Sequence, residues 1–251
     1  MKIYRKFIRE GVPEYLARYY WWAYLWEKSI WFFDHQAIIN AILFGQYDTL
    51  LRKTLTQVDA KPGAKLLQLT CVYGKLTPSL LDYAGNEVHL CDVAIGQLDL
   101  AKSKTSQAAD RCLLARMNAE SLGYANDAFD QVIVFFLFHE LPPAARQNVY
   151  DEIARVVKPG GSVLITEYAA LPLHHYLYRF PLSRWLISHL EPFLPGFWQE
   201  DVTQKLGAAL AKQGKAFSGQ PHLEYCFDRF YRVMRFGLSQ PDLHCNDVTC
   251  L

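Results

Sequence analysis

Between residues 65 and 168 the chain alternates short apolar runs with longer amphipathic stretches. KLLQLT (65–70), EVHLC (87–91), CLLARM (112–117), QVIVFFLF (131–138) and SVLITEY (162–168) read as strands. Residues 131–138 are apolar after Gln131, the mark of a strand buried on both faces. The stretches between the runs carry helix punctuation. Thr77 followed by Pro78 has the residue types of an N-cap and a first helical position, and Gly85 closes that helix. A second helix is predicted over 95–109 and a third over 144–156, the third stopping at a Lys158-Pro159-Gly160-Gly161 turn. Strand then helix, repeated, predicts a parallel sheet with right-handed crossovers.

The flanks follow other patterns. Residues 14–33, EYLARYYWWAYLWEKSIWFF, are aromatic or aliphatic all round, with only Glu14, Arg18, Glu27 and Lys28 charged. They predict a helix or helix pair, either a lid packed on the core or an apolar wall facing lipid or substrate. Residues 35–57 continue with helical spacing and close at Lys61-Pro62-Gly63. After the fifth strand comes an insertion, 169–199, rich in aromatics, His and Pro. A polar helix over 200–212 and a strand-like stretch over 225–236 follow, and the latter predicts an antiparallel hairpin closing the sheet. The expected organisation is a helical cap over 1–61, a core domain over 62–238 and a loose polar tail over 239–251.

Composition narrows the function. With 26 Lys+Arg against 25 Asp+Glu there is no field of one sign to hold phosphate backbones, so nucleic acid is not expected as a partner. The 6 cysteines form no C-x-x-C pair, which fits a reducing compartment. No apolar run reaches the roughly 18–20 residues of a membrane span and the N-terminus lacks a signal-peptide core, so an intracellular location is expected.

In a doubly wound sheet ligands sit beyond the carboxyl ends of the strands, where the strand order reverses. The residues at those ends are Cys71, Val72, Tyr73 and Gly74; Asp92; Asn118 and Ala119; and His139 and Glu140. Asp92 falls about 20 residues after the first turn, where an acid accepts hydrogen bonds from ribose hydroxyls; a helix N-cap is its structural alternative. His139 and Glu140 have a structural alternative too, a strand-end His and a helix-capping carboxylate.

The order of strand ends, with KPGG before the fifth strand, resembles the class I S-adenosylmethionine-dependent methyltransferase fold over about residues 62–168. That resemblance implies an α/β, Rossmann-like doubly wound sheet, mostly parallel with an antiparallel C-terminal strand. It places Asp92 on the ribose and Asn118 near the adenine. The loop departs from the family pattern acidic-x-Gly-x-Gly-x-Gly: only Gly74 survives, and Gln68 stands in place of the acid. QLTCVYGKLT, with PEYLARYYWWAYL before it and FLFHELP after it, is similar to the rhodoquinone-biosynthesis enzymes of this fold, over roughly residues 11–237. This closer resemblance implies that S-adenosylmethionine gives its amino group to ubiquinone in place of a ring methoxy group, with a divalent metal, preferably manganese, assisting.

On that reading Gln68, Thr70, Val72, Tyr73, Gly74, Asp92, Val93, Asn118, Ala119 and Phe138 are the expected cofactor contacts. Tyr73, His139 and Glu140 are the expected catalytic groups. His139, Glu140 and Glu167, with one of His174 or His175, offer oxygen and imidazole ligands to manganese. Tyr20, Trp21, Trp22, Tyr168 and His174 are the expected quinone contacts. The insertion mixes apolar side chains with Arg179, Arg184 and His189, which suits a helix lying in a membrane surface, with a core-covering insert as the alternative. The expected location is peripheral, on the cytoplasmic face of an inner membrane or the matrix side of a mitochondrial one. Two other functions compete: conventional methylation of a lipophilic quinone or phenol, and non-catalytic quinone binding.

Overall fold

The computed structural model describes residues 4–59, 61–71, 73–84 and 86–240. Six short helices open the chain: α1 (Tyr4–Arg9), α2 (Glu14–Tyr19), α3 (Trp21–Tyr24), α4 (Glu27–Phe33), α5 (Gln36–Ile42) and α6 (Tyr47–Leu55). The sheet domain follows with β1 (Lys65–Leu69), α7 (Leu76–Ala84), β2 (Glu87–Asp92), α8 (Ile95–Lys104), β3 (Cys112–Arg116), β4 (Phe129–Phe135), α9 (Pro143–Val156) and β5 (Val157–Tyr168). The insertion supplies α10 (Tyr176–Arg179), α11 (Pro181–Leu190) and α12 (Leu194–Phe197). The chain then runs through α13 (Val202–Lys212), β6 (His222–Cys226) and β7 (Tyr231–Gly237).

The strands form one 7-stranded sheet in the order β3-β2-β1-β4-β5-β7-β6. Pairings from β3 to β5 are parallel, and β7 lies antiparallel between β5 and β6. β1 is central, with Leu69 level with Cys91 of β2 and Val134 of β4. The order reverses between β1 and β4, so their carboxyl ends open a crevice there. Leu66, Leu67, Val132, Ile133, Val163 and Leu164 are fully buried, as the unbroken apolar runs predict. Each such aliphatic side chain contributes about 1.5–3 kcal/mol on burial.

Several boundaries differ from the sequence expectations. α7 begins at Leu76, with Lys75 O accepting the first turn's bond from Ser79 N–H at 2.9 Å, so Thr77 lies inside the helix and does not cap it. Pro78 is still in the first turn, where a missing N–H costs nothing. The predicted helix over 95–109 ends at Lys104 and gives way to a 3-10 turn, Ser106–Ala108. β4 stops at Phe135 because Phe136 turns left-handed at φ 56°, and Phe138–Glu140 form a 3-10 turn. Lys158–Gly161 does not end one element before the next: β5 already starts at Val157, which pairs with Phe129, and the four residues bulge before Ser162 pairs with Gln131. The aromatic stretch 14–33 divides into α2, α3 and α4, since side chains apolar on every side cannot all be buried by one straight helix. The tail beyond residue 240 lies outside the described residues.

Candidate active site

At the carboxyl ends of β1, β2 and β4 lies a cavity of about 420 Å³, roofed by α2, α3 and α5 and reached by the end of α11. Its two ends carry different chemistry.

Asp92 closes β2 at the first end. Its Oδ2 accepts from Cys71 N–H at 2.8 Å and its Oδ1 from Ala94 N–H at 2.7 Å. Burial raises its pKa to about 6, against the pull of those two donors. A carboxylate has lone pairs left after two such bonds, so Asp92 retains acceptor capacity toward the cavity it lines.

The loop leaving β1 takes left-handed backbone at two described positions, only one of them a glycine. Thr70 adopts φ 71°, and Gln68, buried inside β1, donates to Thr70 O at 3.1 Å and braces that turn. Gly74 is required: at φ +89° it lies against the Tyr47 hydroxyl, where any Cβ would collide. Asp34 and Tyr47 of the helical cap, with Lys104 at the end of α8, hold the loop from outside. Gly74 N–H donates to Asp34 Oδ1 at 2.9 Å, Lys104 Nζ donates to Gly74 O at 2.9 Å and pairs with Asp34, and Lys75 N–H donates to the Tyr47 hydroxyl at 2.5 Å. Tyr73 stacks on Tyr24 with centroids 5.6 Å apart and donates its hydroxyl to Ala23 O; burial raises its pKa.

His139 anchors the second end. Its Nδ1 lies 2.9 Å from Glu167 Oε1, and the same carboxylate accepts from His139 N–H at 3.2 Å and Tyr168 N–H at 2.8 Å. Its Nε2 faces Glu140 at 3.8 Å and Glu191 at 3.9 Å. Tyr24 donates to Glu140, and Tyr20 donates to Glu191 at 3.0 Å. Burial pulls the imidazole pKa down, but Glu167, Glu191 and Glu140 outweigh it and hold it at about 9. Burial pushes both Glu140 and Glu191 up, with His139 opposing. His139, Glu140 and Glu191 each bring one ligand atom within 4.8 Å of the others, the only such group among the described residues. An imidazole nitrogen with two carboxylate oxygens, all drawn from water, is a donor set that fits a divalent cation.

Of the residues expected from sequence, Thr70, Tyr73, Asp92, Val93, Asn118 and Ala119 line the cavity, as do Tyr20, Trp22, His139, Glu140 and Tyr168. The others do not. Gln68 and Gly74 shape the loop from behind. Phe138 stacks between Tyr150 and Phe197 in the core, and Trp21 packs on Trp26. His174 is exposed outside the cavity, and His175 accepts from Leu177 N–H, capping α10 beside Phe230. Glu167 lies outside the group that could hold a cation: its oxygens serve His139 and Tyr168, and Glu191 stands with His139 and Glu140 in that group. Val72 lies outside the described residues. Sequence reasoning missed Tyr24 and Glu191, although Glu191 carried a signal as the only acid in 169–199.

The sheet order is that of the class I S-adenosylmethionine-dependent methyltransferase fold, which the solved structures below share. A family model described as "Methyltransferase domain" matches residues 66–161. The chain is similar to demethylmenaquinone methyltransferase of Bacillus licheniformis, 32% identical over 136 residues, which are 53% of this chain and 57% of that one. It is also similar to a ubiquinone/menaquinone biosynthesis C-methyltransferase of Ralstonia pickettii, 27% identical over 180 residues, 68% of this chain and 73% of that one. The chain thus spans a little over half the length of the first of these relatives. Among solved structures, Haemonchus contortus phosphoethanolamine N-methyltransferase 2 in complex with S-adenosyl-L-methionine superposes with TM-score 0.62 at 17% identity, covering 92% of this chain and 61% of that one. The Pyrococcus horikoshii PH0226 protein gives 0.53 at 15%, covering 90% and 99%.

Proposed function

We propose that this protein is an S-adenosylmethionine-dependent transferase whose acceptor is the ring of a lipophilic quinone. One observation carries the reading: a single, mostly apolar cavity joins a nucleoside-type carboxylate, Asp92, to a proton-bearing imidazole, His139. Asp92 accepts from the ribose hydroxyls, Asn118 and Ala119 flank the adenine, and Tyr73 covers the cofactor from the cap side. His139, held by Glu167, lies where a proton on a ring oxygen would be exchanged as the group is transferred.

The relatives are named as methyltransferases acting in quinone biosynthesis, and methyl transfer to the ring is the reading they support. A second reading, amination of ubiquinone to rhodoquinone, is favoured by the carboxylate pair beside His139. In it the cofactor's amine displaces the methoxy group as methanol, and the N–Cα bond then breaks by elimination, releasing the rest of the cofactor as an unsaturated acid. An amine attacks only when neutral, and an α-amino group titrates near pH ~7.7–8.0, so a fraction of it is neutral near physiological pH. His139, Glu140 and Glu191 would hold a manganese ion, whose chemistry there is to polarise a quinone carbonyl as a Lewis acid. Incubation with S-adenosylmethionine, manganese and either ubiquinone or chemically reduced demethylmenaquinone, followed by mass spectrometry of the quinone, separates the readings. A ubiquinone product lighter by the methoxy-to-amino exchange supports amination and a heavier product supports methylation. An unchanged quinone overturns both.

A further inference from the structure

Exposed large apolar side chains concentrate in two segments. Along α3, α4 and α5 they include Trp22, Trp31, Phe32 and Ile42. In the insertion Tyr176, Phe180, Leu182 and Trp185 are 62, 59, 62 and 61% exposed, and α11 buries none of its residues. Contiguous apolar surface on this scale marks a contact surface, because water is a poor solvent for it.

The two segments meet at the cavity mouth. The Tyr19 ring lies 5.3 Å from Phe193, just past α11, and Tyr20 is bonded to Glu191. Trp22, Ile42 and Leu190 are both exposed and part of the cavity wall, so outer surface and inner wall are one apolar sheet.

Charge decides what covers this surface. From residue 169 to residue 190 the chain carries Arg179, Arg184 and His174, His175 and His189, with no Asp or Glu. Both arginines are exposed. The cap segment balances Arg18 and Lys28 against Glu14 and Glu27. Aromatic and aliphatic side chains edged by cations, free of carboxylates, match the interface of an anionic bilayer, where the rings sit at headgroup level. Among the described residues no helix is long and apolar enough to cross a membrane.

We propose that α11 and the neighbouring cap helices seat on an anionic lipid surface, α11 lying in the plane of the interface and the cavity mouth facing the acyl chains. An acceptor dissolved in the bilayer then enters without passing through water. The seating goes beyond the transfer reaction and does not depend on which group is transferred; only the entry route rests on the quinone reading.

Vesicle flotation of the full chain tests it. Binding is expected to phosphatidylcholine vesicles containing phosphatidylglycerol, with weaker binding to phosphatidylcholine alone. The triple variant Leu182→Ser, Trp185→Ser, Leu186→Ser is expected to lose at least tenfold in partitioning while its S-adenosylmethionine affinity, read by calorimetry, stays that of the wild type. If the triple variant fails to fold, Trp185→Ser alone and quenching of the wild-type tryptophan fluorescence by brominated lipid give the same reading. Absence of flotation and quenching overturns the proposal, as do partitioning unchanged by the substitutions and a dimer, seen by light scattering, that buries this surface in place of lipid. Turnover of a short-tailed quinone in detergent is unaffected by these outcomes, so failure of the seating and failure of the transfer reading are distinguishable.

Discussion

Asp92 and Glu140 are both carboxylates withdrawn from water on the wall of one cavity, and their surroundings are built in opposite ways. Asp92 is held by backbone N–H groups of Cys71 and Ala94, donors that exist as soon as β1 and β2 pair. Glu140 is held by the Tyr24 hydroxyl and faces His139 and Glu191, side chains that α3, the β4 turn and the end of α11 bring together. The first end is a property of the sheet, available to any chain with this strand order. The second is a property of this chain's cap and insertion. The difference teaches where the identity of the transferred group and acceptor is set: at the end assembled from remote side chains.

The strongest way to break that division is at His139. His139→Ala is expected to lower turnover by roughly 10²–10⁴-fold, the range for a positioned acid or base, while S-adenosylmethionine affinity stays within about twofold. Calorimetric titration of the variant with S-adenosylmethionine checks the separation; a matching loss of affinity would merge the two ends into one.

Next in size is the cation site proposed at His139, Glu140 and Glu191. Glu191→Ala is expected to weaken manganese binding, followed by the electron paramagnetic resonance signal of free Mn²⁺, by at least tenfold, and Glu140→Ala similarly. His174→Ala is expected to leave it unchanged, since His174 lies outside the cavity. Glu167→Gln is expected to fall between, at roughly tenfold, because a partner that orients a liganding imidazole typically costs 10–100-fold when lost. Equal affinity in wild type and Glu191→Ala would remove the insertion from the site.

The same division explains what the sequence made legible. The strands, the crossover helices and the antiparallel closure were readable because apolar runs, Pro, Gly and chain length report local and nearest-neighbour structure, and Asp92 was readable because its place follows from the strand ends. Phe138 and Glu167 sit at strand ends too. Yet the 3-10 turn at Phe138–Glu140 rotates Phe138 into the core, and the bonds from His139 and Tyr168 occupy Glu167. Strand register cannot show either event. Tyr24 and Glu191 reach the site across 116 and 171 residues of sequence through their hydrogen-bonded partners Glu140 and Tyr20, separations at which spacing carries no information.

At the other end the effects are smaller. Asp92→Asn keeps the shape but loses the charge behind the proposed ribose contacts, and a hydrogen bond to a charged group is worth about 1.5–3 kcal/mol, so S-adenosylmethionine affinity is expected to fall roughly 10- to 100-fold. The pH profile gives an independent reading. Below a pKa of about 6 Asp92 carries a proton and loses acceptor capacity, so affinity falls as pH drops through that value and is flat above it. About a tenfold weakening is expected at pH 5, and none of that slope in Asp92→Asn, by calorimetry across pH 5–8.

Thr70 offers the finest test, because it asks whether the sheet-built end is as generic as its geometry. A threonine at φ 71° occupies backbone space that favours glycine, and a β-branched side chain there is strained by roughly 1–2 kcal/mol. Thr70→Gly removes that strain but adds about 0.5–1 kcal/mol of unfolded-chain entropy, so a net gain of up to about 1 kcal/mol is expected in urea denaturation. If the strained threonine only tolerates an inherited turn, the stabilised variant keeps its turnover. If turnover falls while stability rises, the Thr70 side chain, which also lines the cavity, shapes the placement of the cofactor, and the line between a generic end and a specific end moves to include the β1 loop.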